Sequence, residues 1–252
     1  MTNPKIALIT GASRGLGRNM AQHLARAGVG VIATYQRSQD EADQLVAELR
    51  RSDVPAAALQ LDVGHSASFG DFSNTVNGTL GQLGVEHLDY LINNAGTGVF
   101  TPFVETTEEQ FDEMVRVQFK GPFFLPQALL PLIADTGRIL NVSSGLARFT
   151  GPGYAAYAAA KGAIEVLTRY QAAELGKRQI RVNALVPGAI ATDFGGGLVR
   201  DNTDVNQRLA GAIVLGRVGV PDDIGAAVPA ILSDGFGWAT GTRIELSGGQ
   251  SL

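Results

Sequence analysis

The sequence predicts an α/β fold, a doubly wound parallel sheet of seven strands with helices on both faces, in one domain spanning 1–252. Apolar runs of five or six residues recur along the chain, as in strands whose two faces are both covered. Segments of helical spacing separate them, and alternating strands and helices with right-handed crossovers build a parallel sheet. No Pro/Ser linker or compositional shift divides the 252 residues, a length that α/β domains often reach undivided.

The strands are expected at 5–10, 29–34, 56–61, 88–92, 138–142, 180–185 and 242–246. Between them, 14–28 has helical spacing with Leu16, Met20, Leu24 and Ala27 on one face. The charged segment 40–51 turns Leu45, Val46 and Leu49 inward, and 66–80 is a third helix. A long helix is expected in 107–133, another over 153–175, and one over 221–232. The stretch 192–219 is irregular, with Gly195, Gly196 and Gly197 ahead of a weakly amphipathic polar run. Long loops at the carboxyl ends of strands surround the ligand in such sheets, so this stretch reads as a mobile substrate lid.

Composition excludes several classes. A net charge of −4 gives no basic stripe for nucleic acid. The chain has no cysteine, which removes disulfides, thiolate metal sites and a cysteine nucleophile. His23, His65 and His87 are scattered, so no metal is expected. Neither a signal-peptide apolar region nor a run of about 18 apolar residues is visible, which suits a cytoplasmic protein without a membrane segment. The 32 glycines follow no period and belong to turns and loops.

The stretch from Thr10 to Gly17 follows the first strand and opens the first helix. Gly11 suits the tight turn, Gly15 a close approach of backbone to pyrophosphate, and Gly17 the packing of helix on sheet. Ser13, Arg14 and Leu16 lie in the same loop, at a helix N-terminus whose N–H groups favour an anion. The reading is a Rossmann-type dinucleotide site. An NAD enzyme would carry an acid at the end of the second strand, where this chain reads Thr34-Tyr35-Gln36-Arg37-Ser38. Arg37 and Arg14 suit a 2′-phosphate instead, so the expected cofactor is NADP(H).

These motifs, with Asn93-Asn94-Ala95-Gly96, Ser144, Tyr157 and Lys161, Pro187-Gly188 through Thr192, and the tail 241–249, resemble the short-chain dehydrogenase/reductase superfamily along essentially the whole chain. The likeness extends to ketoreductases of the 3-oxoacyl-carrier-protein reductase kind. It implies reduction of a ketone, or the reverse alcohol oxidation, on a small-molecule substrate: a free ketone or a 3-oxoacyl thioester. Tyr157 and Lys161 are four residues apart on a helix and share a face. An ammonium near a phenol brings its pKa down toward working pH. Tyr157 is then the general acid/base, Ser144 holds the substrate oxygen, and Lys161 lowers the tyrosine pKa and, by resemblance, grips the ribose. The likeness further assigns Asp62 and Val63 to the adenine end, although Asp62 also suits a turn or helix cap. Asn94, Ala95 and Gly96 would back the adenosine; Pro187, Gly188, Ile190 and Thr192 would hold the carboxamide and phosphate side. Family members commonly form homotetramers.

At one position the chain departs from the family. Gln118 stands where an asparagine usually completes a catalytic tetrad through its main-chain carbonyl and a water. Pro122, four residues on, has no N–H to give that carbonyl, which leaves it open to water. The departure keeps alive an alternative, a catalytically weak NADP-binding regulatory protein of the same fold.

Overall fold

The apolar runs at the centre of the sheet become strands buried on both sides. In a computed structural model, which describes residues 4–252, β1 (Ile6–Ile9) is buried at every residue. Its Ala7 and Ile9 join the cluster on one face of the sheet, while Ile6 and Leu8 join the cluster on the other. This alternation is the pleat of a strand between two helical layers. One layer holds α1 (Gly15–Arg26), α2 (Gln39–Arg50) and α10 (Val228–Ile231), through Met20, Leu24, Leu45, Leu49 and Val228. The other layer includes α3 (Phe69–Gln82) and α5 (Gly121–Leu129), through Phe72, Val76, Leu80, Leu125 and Leu129.

The sheet is completed by β2 (Gly30–Tyr35), β3 (Ala56–Gln60), β4 (Leu88–Asn93), β5 (Ile133–Val142), β6 (Arg181–Pro187) and β7 (Arg243–Leu246). All pairings are parallel and the order is β3-β2-β1-β4-β5-β6-β7. The order reverses between β1 and β4, so a crevice opens where their carboxyl ends diverge.

The long helix expected over 107–133 is broken. A capping box between Thr107 and Gln110 starts α4 (Glu108–Met114). The chain then widens into a π-helical segment, Val115–Lys120, in which the Gly121 N–H donates to the carbonyl of Arg116, five residues back. After α5 comes a 3-10 turn, Leu130–Leu132, and Ile133 already belongs to β5. The physical reason is Pro122: lacking an N–H, it cannot continue the α-register at Gln118, and the extra residue is absorbed just before it. The start of β5 was missed because Thr136 has φ +66 and Gly137 follows, an irregularity that breaks the apolar run. The helix expected over 221–232 is two short ones, α9 (Pro221–Gly225) and α10.

Residues 192–219 are more ordered than a plain loop. They contain α7 (Leu198–Asp201) and α8 (Thr203–Ala210). The base of the excursion is pinned: Ala191 N–H donates to Gly219 O and Gly219 N–H to Ala189 O, both at 2.9 Å.

Candidate active site

The loop after β1 is tied to the end of β4. The Thr10 hydroxyl accepts the N–H groups of Asn94 and Ala95, each at 2.9 Å. Asn94 returns its amide to the carbonyls of Thr10 (2.9 Å) and Gly11 (3.1 Å). A Cβ on Gly17 would lie 2.4 Å from the Gly11 oxygen and 2.6 Å from that amide, so only glycine fits this approach of helix to loop. Gly15, at φ +57, is the opposite case, with nothing within 4 Å of a Cβ placed there. Its backbone therefore faces open space at the N-terminus of α1, as a diphosphate requires. Ser13 is buried, Leu16 packs on the core, and Arg14 is the exposed N-cap residue of α1. These residues fit a dinucleotide: a cradle with a Cβ-free approach at the dipole end of a helix.

At the adenosine end, Arg37 lines a cleft with Gln36, Gln60, Leu61, Asp62 and Ser68. Arg37 and Arg14 are exposed, and among the described residues neither enters an ion pair. Both guanidinium groups thus remain available to an anion. Asp62 does what its turn reading required, accepting the Gly64 N–H at 2.8 Å, and still borders the cleft. The Val63 carbonyl packs against Gly121, whose absent Cβ would stand 2.6 Å from it. On the far side, Pro187 ends β6, Gly188 N–H donates to Leu246 O at 3.1 Å, and Ile190 bridges to Gly219 at the lid base. Thr192 accepts the Phe194 N–H at 3.2 Å.

Ser144 follows β5, and Tyr157 and Lys161 project from α6 (Ala155–Leu175). Tyr157 and Lys161 are 7% and 5% exposed. Burial pushes the Tyr157 phenol up to about 12, against the opposing effect of the Ser144 hydroxyl beside it. Burial pushes the Lys161 ammonium down to about 7. The net direction for Tyr157 is thus upward, with burial as its largest cause. For each group the largest cause is desolvation, which disfavours the charged form. Lys161 donates to the Val142 carbonyl at 2.7 Å and sits 5.7 Å from the Tyr157 ring centre. The neighbouring Ser143 turns its hydroxyl away from this group, to the Lys161 carbonyl (3.1 Å) and Glu165 (2.9 Å).

Gln118 is fully buried on the π-helical segment. Its amide donates to the Thr97 carbonyl, and its Oε1 has no partner. A Cβ on Gly96 would stand 2.9 Å from both amide atoms, so Gly96 makes room for the extra methylene.

Sequence reasoning missed three contributors. Gln250 props the Pro187-Gly188 turn, accepting the Ala189 N–H at 2.8 Å across 61 residues. Asn141 accepts from Asn93 at 2.8 Å and donates to Thr168 (3.0 Å) and Gln171 (2.9 Å), joining β4, β5 and α6 beneath the site. Phe194 places its ring 5.6 Å from that of Tyr157. The only sequence signal for Phe194 was its place next to the lid glycines.

A family model described as enoyl-(acyl carrier protein) reductase matches residues 11–251. Among curated proteins, the tetrahydroxynaphthalene reductase PfmaG of Pestalotiopsis fici is 37% identical over 256 residues, covering 97% of this chain and 91% of that protein. Among solved structures, LugOII, a promiscuous reductase that catalyses keto-reduction at C1 during lugdunomycin biosynthesis, superposes with a TM-score of 0.92 at 36% identity over 98% of each chain. The angucycline C-6 ketoreductase LanV with bound NADP gives 0.91 at 35% identity, over 98% of this chain and 95% of its own.

Proposed function

This chain belongs to the short-chain dehydrogenase/reductase family and is an NADP-dependent oxidoreductase, and we propose that it reduces a ketone of a free polycyclic small molecule to the alcohol, with Tyr157 as the acid. Bound in the glycine cradle, NADPH supplies the hydride. Tyr157, with its phenol near 12, is protonated at neutral pH and gives that proton to the carbonyl oxygen as hydride reaches the carbon. Ser144 holds the same oxygen. The ammonium form of Lys161, 5.7 Å from the ring centre, stabilises the phenolate left behind. Gly11, Ser13, Arg14, Gly15, Leu16 and Gly17 hold the diphosphate side, Arg37 the 2′-phosphate, Asp62 and Val63 the adenine end, and Ile190 and Thr192 the carboxamide end.

The observation that carries this reading is the convergence of Ser144, Tyr157 and Lys161 at the carboxyl end of the sheet, beside the phosphate cradle. The relatives' names, a tetrahydroxynaphthalene reductase and an angucycline ketoreductase, support a free fused-ring ketone over a carrier-bound thioester. The test is NADPH oxidation with 2-tetralone. Tyr157→Phe is expected to lose about 10²- to 10⁴-fold in turnover while NADPH affinity is unchanged. A variant that turns over like the wild type refutes the assignment, and a wild type that binds NADPH but reduces no ketone supports the regulatory alternative.

A further inference from the structure

Four aromatic rings run from the surface to the proposed acid. Phe100 meets Tyr154 edge-on at 5.2 Å between ring centres, Tyr154 meets Tyr157 at 6.5 Å, and Phe194 closes the row on Tyr157 at 5.6 Å. The outer members are open to solvent, Phe100 by 67% and Phe194 by 43%, whereas Tyr157 is 7% exposed. Phe194 has a seat cut for it: a Cβ on Gly98 would stand 2.6 Å from its Cζ. Just beyond it, Gly195, Gly196 and Gly197 have φ of +61, +72 and +79, a run that L side chains resist. The ring therefore rests on Tyr157 and Gly98 at the end of a backbone segment built for torsional freedom.

Resting on the reading of Tyr157 as the acid, we propose that Phe194 determines specificity for aromatic over saturated ring substrates. In this proposal the substrate takes the place of Tyr157 as the ring that Phe194 meets, a contact of 5.6 Å between ring centres in the protein itself. A substrate with an aromatic ring gives Phe194 a new ring–ring contact of the same kind, so the exchange costs little. A saturated ring of equal size covers the same apolar area but has no quadrupole for Phe194 to meet. The aromatic term beyond area burial corresponds to roughly a 2- to 13-fold difference in affinity. Phe194 would thus act as a selector that leaves the chemistry unchanged.

The test compares binding of 2-naphthol and decahydro-2-naphthol to the NADP⁺-loaded protein by calorimetry, so it needs no turnover. The affinity ratio of the two is expected to fall about 2- to 13-fold in Phe194→Leu, which keeps apolar bulk but removes the ring. Gly98→Ala crowds the seat but keeps the ring, so it is expected to preserve the ratio. Tyr157→Phe also retains its ring and is expected to bind both alcohols with the wild-type ratio, which separates this proposal from the identity of the acid. Unchanged NADP⁺ affinity shows that each variant is folded. A ratio unmoved by Phe194→Leu overturns the proposal, as does an equal fall in Gly98→Ala, which would assign the effect to lid displacement alone.

Discussion

Lys161 gives the protein a pH signature that can be read without substrate. Its ammonium titrates near pH 7 in the folded chain, against 10.5 for an ordinary lysine, because burial removes it from water. Below pH 7 the group is protonated both folded and unfolded, and the folded state bears the whole desolvation cost. Between pH 7 and 10.5 only the unfolded chain keeps the proton, so raising the pH stabilises the fold. A shift from 10.5 to about 7, at 1.36 kcal/mol per unit, corresponds to about 5 kcal/mol. Tyr157 acts in the opposite direction, but only from pH 10 upward: its folded pKa is raised to about 12, and the unfolded phenol ionises first. A window from pH 6 to 10 therefore isolates the lysine. The perturbation is Lys161→Met, which keeps the length and removes the titration. The assay is urea unfolding of nucleotide-free wild type and variant across that window at constant ionic strength. Other groups cancel in the difference. The stability of the variant relative to the wild type should be greater at pH 6 than at pH 10 by several kcal/mol. A difference that stays flat with pH refutes burial as the cause of the lysine's shift.

Pro122→Ala restores an N–H opposite the Gln118 carbonyl and should draw the π-helical segment toward the α-register; kcat is expected to fall with NADPH affinity little changed, and an unaltered kcat and pH profile would deny that carbonyl a role. Under the proposed placing of the 2′-phosphate against Arg37, Arg37→Gln should lower the preference for NADPH over NADH roughly 10- to 100-fold in dissociation constants, whereas an unchanged ratio excludes Arg37 from the site. Trp238 is wholly exposed, Val166 and Tyr170 are open on α6, and β7 is an edge strand of the sheet. Such surfaces call for covering, so light scattering is expected to give a homotetramer; a 26.4 kDa particle at micromolar concentration would contradict it.

The central strands were legible because they are buried on both faces, which leaves an apolar run with little ambiguity of phase. The phosphate loop was legible because its glycines serve local backbone needs, a positive φ at Gly11 and Gly15 and a close approach at Gly17. Tyr157 and Lys161 were legible because a single helical turn sets their spacing. What failed was either a change of register or a contact distant in sequence. Pro122 signalled a lost hydrogen bond at Gln118, but whether the chain would kink, stop or widen depends on packing. The pKa directions depend on burial, which spacing does not report. Gln250 and Phe194 act across 61 and 37 positions along the chain, and no periodicity links them to Ala189 or Tyr157.

The grip of Gln250 on the turn after β6 also sets when the site can form. Arg148 adds to it, donating to the carbonyls of Gln250 (2.7 Å) and Ser251 (2.9 Å) across more than a hundred residues. During synthesis the glycine cradle emerges first, but the wall facing it stays unbraced until position 250 has left the ribosome. Contacts this far apart close late in folding. A tag or cut that disturbs residues 250–251 would accordingly behave as an active-site lesion, although it lies far along the chain from Tyr157.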